Sequence, residues 1–171
     1  MKLETIETVV RALNNANIRY IIAGGLAVNA HGYLRFTADI DLVIALDQEN
    51  IIQAFKVLAE IGYTPQVPVT ANQFADQKIR QQWINEKGMQ VLNFWSEAHK
   101  ETTLNIFVSE PFEFDEEYNH CMEGELLPGL TTRFVSIPTL IKMKEVANRA
   151  RDIDDIQHLR WIIEEQKKND E

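Results

Sequence analysis

The sequence predicts an α+β fold, a mixed α/β arrangement in which a mixed sheet is flanked by helices and followed by a helical C-terminal portion. Apolar residues recur at helical spacing near both ends, and between them lie short apolar or alternating runs separated by turn residues. The length, 171 residues, is enough for one substantial core and short for two. One unit over residues 1–171 is expected, with the sheet-containing core in 1–135 and the C-terminal helices in 136–171.

Leu3, Ile6, Val10 and Leu13 fall on one face of a first amphipathic helix. Arg19 to Ala23 reads as a short buried strand, stopped by Gly24-Gly25, and Leu26 to Ala30 as a helix ended by Gly32. Asp39 to Leu46 alternates acid and apolar residues and then runs apolar, as a strand does when one end opens into a cleft. Asp47 predicts a helix cap, with the helix running to Ile61 and closing at Gly62. Ala71 to Trp83 fits either helix or loop. Met89–Trp95 and Thr103–Val108 read as two strands of one sheet. A hairpin surrounds Pro128-Gly129, with strands near Glu125–Leu127 and Arg133–Val135. Ser136-Ile-Pro138 announces a helix to about Ala147, and Asp152 begins a last one reaching Glu165.

Composition narrows the function. The net charge of −9, from 26 acids and 17 bases, disfavours an extended duplex-DNA footprint, which needs clustered Lys and Arg. It leaves room for local contact with an RNA end or a nucleotide. No apolar run approaches the ~20 residues of a membrane span, and the first residues lack a signal peptide's apolar stretch. With Cys121 as the one cysteine, no internal disulfide can form, and a reducing cytoplasm is the expected location.

The stretch from Tyr20 to Ile44 carries the chemistry. A Gly-Gly turn joins a strand to a helix, and an Asp-x-Asp pair opens the next strand. Glycines let the backbone turn tightly and let phosphates approach amide groups. Asp39 and Asp41, two apart on a strand, point to one face. Paired carboxylates repel unless a cation lies between them, and Mg²⁺ takes such oxygens together with substrate phosphates. Gly-Gly alone is an ordinary turn, and Asp-x-Asp alone an ordinary strand end. Their ordered combination with Arg35-Phe-Thr37 points to function.

That combination resembles the nucleotidyltransferase superfamily with the DNA polymerase beta-like fold, through Gly24, Gly25, Asp39 and Asp41, with Arg35 and Thr37 typical of its minimal bacterial members. The segment Leu140 to Leu159 resembles the Leu-Ile-x-x-Lys-x-x-Ala-x-Arg-x-x-Asp-x-x-Asp pattern of the branch containing AbiEii-type and MenT-type toxins. The resemblance implies that Gly24 and Gly25 hold a triphosphate and that Asp39 and Asp41 bind Mg²⁺. Arg35 and Thr37 would join the nucleotide site, Lys144 would reach the phosphates, and Arg149, Asp152 and Asp155 would face the cleft. The implied reaction transfers a nucleotidyl group from an NTP to an acceptor hydroxyl on an RNA end, a protein or a small molecule. Contact with tRNA would be limited to a rim including Arg35, Lys142 and Arg149, and a toxin–antitoxin role is implied by the second motif alone.

One position departs from the pattern. Superfamily members place a third carboxylate on a later strand, where Thr103-Leu-Asn-Ile-Phe-Val108 puts Asn105. An amide cannot act as a base or add negative charge. Either Asp152 or Asp155 accepts the proton, or the chain is a catalytically weakened module that binds nucleotide or a partner. For Asp152 and Asp155 a helix-capping role is the plain alternative. An aminoglycoside-type resistance transferase is a further option, since an acidic chain suits a cationic acceptor.

The remaining residues point to structure. His31, His99, His120 and His158 show no zinc spacing, and His31 reads as a helix-end histidine. Trp83, Trp95 and Trp161 read as core or interface aromatics. Glu110 to Glu125 reads as a charged loop pinned by Phe112 and Phe114, with a protein-partner surface as the sharper alternative.

Overall fold

Helical and extended segments alternate along the chain and bring seven strands into one mixed sheet. The computed structural model describes residues 1–170. In chain order the elements are α1 (Leu3–Asn15), β1 (Tyr20–Ala23), α2 (Gly24–Ala30), β2 (Asp39–Ile44), α3 (Gln48–Glu60), β3 (Tyr63–Pro65), α4 (Ala71–Ala75) and α5 (Gln77–Lys87). They continue with β4 (Val91–Ser96), β5 (Thr103–Phe107), α6 (Phe114–His120), β6 (Met122–Leu127), β7 (Leu130–Phe134), α7 (Ile137–Ala147) and α8 (Ala150–Asn169).

The sheet order is β3-β4-β5-β2-β1-β7-β6. β1 pairs antiparallel with β2 and parallel with β7, while β2 runs parallel to β5. β4 bridges β3 and β5 antiparallel, and β6-β7 is the hairpin expected around Pro128-Gly129. β1 is buried along its whole length, and β2 exposes only its Asp-bearing end in part, so the sheet's centre is apolar and its opening lies at Ala23 and Asp39.

Helix α1 buries Ile6, Val9, Val10 and Leu13, and α3 buries Ile51, Ala54, Phe55 and Leu58. Phe55 packs edge-on to Phe94 of β4 and tilted on Phe74 of α4. Burying each such side chain contributes about 1.5–3 kcal/mol, which anchors the helical layer to one sheet face. Asp47 caps α3 by accepting the Asn50 N–H at 2.9 Å, and Gly62 takes a positive φ of +92° to leave it.

The 71–83 segment is helical, split into α4 and α5 where Asp76 caps the second helix. The expected charged loop at 110–125 is corrected: it contains α6, which buries Phe114 and Glu117. Glu117 accepts the Ser136 N–H at 2.6 Å and the Thr139 hydroxyl at 2.7 Å, fastening α6 to the start of α7. β3 was not expected from the sequence. The last helix starts at Ala150 rather than at Asp152, with Arg149 as its N-cap residue. Among the described residues no helix is long and apolar enough to cross a membrane.

Candidate active site

The end of β1, the start of α2 and the first residues of β2 meet at one edge of the open sheet face. Ala23 lies opposite Asp41, and Asp41 lies opposite Asn105 in the parallel pairing with β5. Strand alternation therefore puts Asp39, Asp41 and Asn105 on one face. Gly24 takes φ +64°, and a Cβ built there would lie 1.9 Å from Oδ2 of Asp41. Glycine is required because the carboxylate occupies the side-chain space. At Gly25 a Cβ would meet the Thr37 hydroxyl at 2.7 Å and the Arg35 guanidinium at 2.9 Å. The residues singled out in the first motif are thus brought together by close approach.

Burial lifts the Asp41 carboxyl above the ordinary carboxylate range; an Asn105 hydrogen bond works against this and the Asp39 charge adds to it. Two hard oxygen donors held side by side, one resisting ionisation, suit a divalent cation that would relieve their repulsion. Among the described residues no cluster of three His, Cys, Asp or Glu could hold a metal. Asp39 and Asp41 are the two carboxylates here that could share such a cation.

Asn105 faces Asp41 with its amide nitrogen. Its Nδ2 donates to Asp41 Oδ1 at 2.9 Å, while its Oδ1 accepts from Asn93 Nδ2 at 2.6 Å. The amide orientation is set by Asn93, a residue that sequence reading did not single out. In this orientation Asn105 steadies Asp41, and its own oxygen is occupied.

The second motif forms a buried ion-pair network. Arg35 donates from Nε and Nη2 to the two oxygens of Asp155, at 2.6 and 2.7 Å. Lys144 Nζ donates to Asp155 at 2.7 Å and lies 3.4 Å from Asp152. Arg149 donates to Asp152 from Nε at 2.8 Å and from its backbone N–H at 2.9 Å. Asp152 and Asp155 are 0% exposed and Lys144 is buried, which differs from a lysine extended toward phosphates and from aspartates open to a cleft. Burial by itself would raise both carboxyls. The Arg149 bonds and Lys144 charge at Asp152 prevail, as do the Arg35 and Lys144 bonds at Asp155, and both are held below the usual range. Arg149 is the half-exposed cation of the set, with its charge acting on Asp41.

The loop between α2 and β2 is tied down by residues the motifs did not include. Asn29 exchanges two hydrogen bonds with the Arg35 backbone, both 3.0 Å. Tyr33 stacks on His158 at 3.7 Å and donates to Asp154 at 2.6 Å. His31 lies at the end of α2 with Nε2 2.7 Å from the Val135 carbonyl, and burial lowers its pKa. Of the three tryptophans, Trp83 is half-buried near Phe74 and belongs to the core, while Trp95 and Trp161 lie outside it, 47% and 49% exposed.

The family model described as Aminoglycoside-2''-adenylyltransferase matches residues 5–122. Among curated proteins no sequence matches. Among solved structures, ANT(2")-Ia in complex with adenylyl-2"-tobramycin is similar with a TM-score of 0.62 and 16% identity, over 96% of this chain and 91% of that one. The lincosamide antibiotic adenylyltransferase LnuA, lincomycin-bound, has a TM-score of 0.63 and 14% identity, over 93% of this chain and 96% of that one. An antigenic nucleotidyltransferase-like protein from Paracoccidioides brasiliensis has a TM-score of 0.56 and 19% identity, over 92% of this chain and 74% of that one. These likenesses show the nucleotidyltransferase fold.

Proposed function

The chain belongs to the aminoglycoside-2''-adenylyltransferase family, and from that premise we propose that it transfers an adenylyl group from ATP to a hydroxyl of a small molecule, using Mg²⁺. One observation carries the reading: Asp41 stands against Gly24, and Arg35 and Thr37 against Gly25, so closely that a side chain on either glycine would collide with them. Asp39 and Asp41 would hold the ion, whose charge would offset that of the phosphates. Gly24, Gly25, Arg35 and Thr37 would receive the triphosphate. Asp155 and Lys144 act from behind by fixing Arg35, and Arg149 offers a half-exposed cation beside Asp41.

In the reaction the acceptor oxygen forms a bond to the α-phosphorus, the bond from that phosphorus to the bridging oxygen breaks, and pyrophosphate leaves. The hydroxyl proton goes to solvent, because Asn105 has no basic lone pair and Asp152 and Asp155 are ion-paired. Alignment and charge stabilisation then supply most of the catalysis. Asn105 also favours a second reading, a weakened enzyme serving as a nucleotide-binding module. The toxin-like motif in residues 140–159 lies outside the family match; an RNA end or a protein side chain as acceptor rests on it alone.

Thermal melts with ATP and Mg²⁺ test the site, comparing wild type with the Asp39→Asn, Asp41→Asn double variant. Nucleotide at a hundred times its Kd stabilises by about 2.7 kcal/mol, a shift of several degrees for a chain of this size. Metal-dependent stabilisation absent from the variant is expected; stabilisation that survives both substitutions sinks the reading. Transfer of label from α-labelled ATP to tobramycin or lincomycin then separates enzyme from binding module.

A further inference from the structure

We propose that Tyr33, Asp154 and His158 form a clamp that positions Arg35 for the triphosphate, which makes them positioning residues of the transfer; this rests on the transferase reading above. The segment between α2 and β2 leaves its helix through Gly32, at φ +114°, and runs without regular structure until Asp39. Its burial alternates: Tyr33, Arg35 and Thr37 are half-buried, while Leu34 and Phe36 are 80% and 82% exposed. An extended run sends successive side chains to opposite sides, so the three half-buried residues form one inward row. Burial of Leu34 and Phe36 does not hold this loop; its inward row does.

That row lands on fixed points. Thr37 and Arg35 press on Gly25, at 2.7 and 2.9 Å from the Cβ position that glycine leaves empty. Arg35 takes Asp155 of α8, and Tyr33 takes the adjoining Asp154, its hydroxyl donating to Oδ2 at 2.6 Å. The Tyr33 ring lies flat on His158, with 3.7 Å between centroids and 2° between planes. His158 follows Asp154 by one helical turn, and its Nδ1 lies 2.9 Å from the Asp154 carbonyl oxygen. Trp161 packs edge-on against the same imidazole, 4.9 Å between centroids.

The two attachments to α8 respond differently to a nucleotide. Asp155 is the counter-charge with which a triphosphate competes for Arg35, since both offer oxygens to one guanidinium. The Tyr33 clamp uses a neutral hydroxyl and a stacked ring, so its grip is independent of that competition. It keeps the loop over Gly25 while Arg35 shares its donors with phosphate. Asn29 secures the Arg35 backbone from α2 with two bonds of 3.0 Å, so the loop is held from the helix that bears Gly25 and from α8 together. A loop ordered in advance loses less conformational freedom when its ligand arrives, and the gain appears as affinity.

The test is the Kd for ATP, measured by calorimetry on the full chain at saturating Mg²⁺, beside the Tm of each variant. Asp154 has a side chain 59% exposed, so Asp154→Ala is expected to melt within a few degrees of wild type and remain folded. Asp154→Ala and Tyr33→Ala are each expected to raise the Kd at least threefold. Asp154→Asn keeps an acceptor for the Tyr33 hydroxyl and restores most of the affinity. The KM for ATP follows the Kd, and the KM for the acceptor keeps its wild-type value. Emission from Trp161, taken as the difference between proteins with and without Trp161→Phe, is expected to change in Tyr33→Ala. An Asp154→Ala rise of less than threefold, an Asp154→Asn loss equal to that of Asp154→Ala, or Trp161 emission indifferent to Tyr33→Ala overturns the clamp. Wild-type affinity for Mg²⁺-ATP reports the transferase reading separately: wild type and Asp154→Ala binding alike removes the clamp alone, and a wild type that does not bind removes both.

Discussion

Arg35 grips both carboxylate oxygens of Asp155, 120 residues further along the chain, at 2.6 and 2.7 Å. The contact ties the loop that packs over Gly25 to the last helix, and Lys144 shares the same carboxylate. Two aligned bonds hold the guanidinium plane as well as its position. Removing the carboxylate leaves two cations facing each other, Lys144 buried and Arg35 nearly so. Asp155→Asn is expected to cost about 3–5 kcal/mol, a fall in Tm of roughly 10 °C. Its Kd for ATP also rises, because Arg35 loses its orientation. Calorimetry and nucleotide titration check both parts; an Asp155→Asn protein with wild-type Tm contradicts the first.

The same network fixes the response to acid. Asp152 and Asp155 are both held below the ordinary carboxylate range in the folded chain. A depressed folded pKa contributes stability that is fully present above the unfolded value and is lost as pH falls through the folded one. The stability gap between wild type and Asp155→Asn is therefore expected to be constant near neutrality and to close from about pH 4 downward. Melts from about pH 7 to about pH 3 measure it. A gap that widens in acid contradicts the ion-pair account.

How much of this was legible follows from the range of each interaction. The alternation at Asp39-Ile-Asp41 and the caps at Asp47 and Gly62 are local, and they appear in the sequence as they do in the structure. α6 was hidden because its acids mask a buried face: Glu117 is buried only through Ser136 and Thr139, brought in by α7. β3 has three residues and takes its pairing from β4. The C-terminal motif named Lys144, Asp152 and Asp155, yet no spacing shows that their charges are spent on one another and on Arg35. Trp95 reads as core or interface by residue type, because a sequence cannot tell a covered sheet face from an open one.

Gly24→Ala tests the close approach at the carboxylate pair. The φ of +64° is strained for alanine, and its Cβ would overlap Oδ2 of Asp41. The backbone strain costs about 1–3 kcal/mol, lowering Tm by several degrees, and Asp41 must turn away. Stabilisation by Mg²⁺-ATP is expected to vanish while the folded state persists. A Gly24→Ala protein that responds to Mg²⁺-ATP as wild type does would show that Asp41 does not need that backbone.

Asn105→Asp addresses the departure from the superfamily pattern. The native amide donates to Asp41 and is oriented by Asn93. An aspartate at 105 loses that donor and puts a third carboxylate within contact of Asp41, so the metal-free protein is expected to melt several degrees lower. Added Mg²⁺ offsets the repulsion, and the variant's Tm gains more from the ion than wild type's does. The new carboxylate would also stand beside Asp41, within reach of a hydroxyl attacking a phosphorus held there. General-base assistance is worth about 10²–10⁴-fold, so transfer to an acceptor is expected to rise at least a hundredfold if solvent is the native proton acceptor. Unchanged or slower transfer, measured with Mg²⁺ saturating, places the native proton acceptor elsewhere and removes solvent from the mechanism.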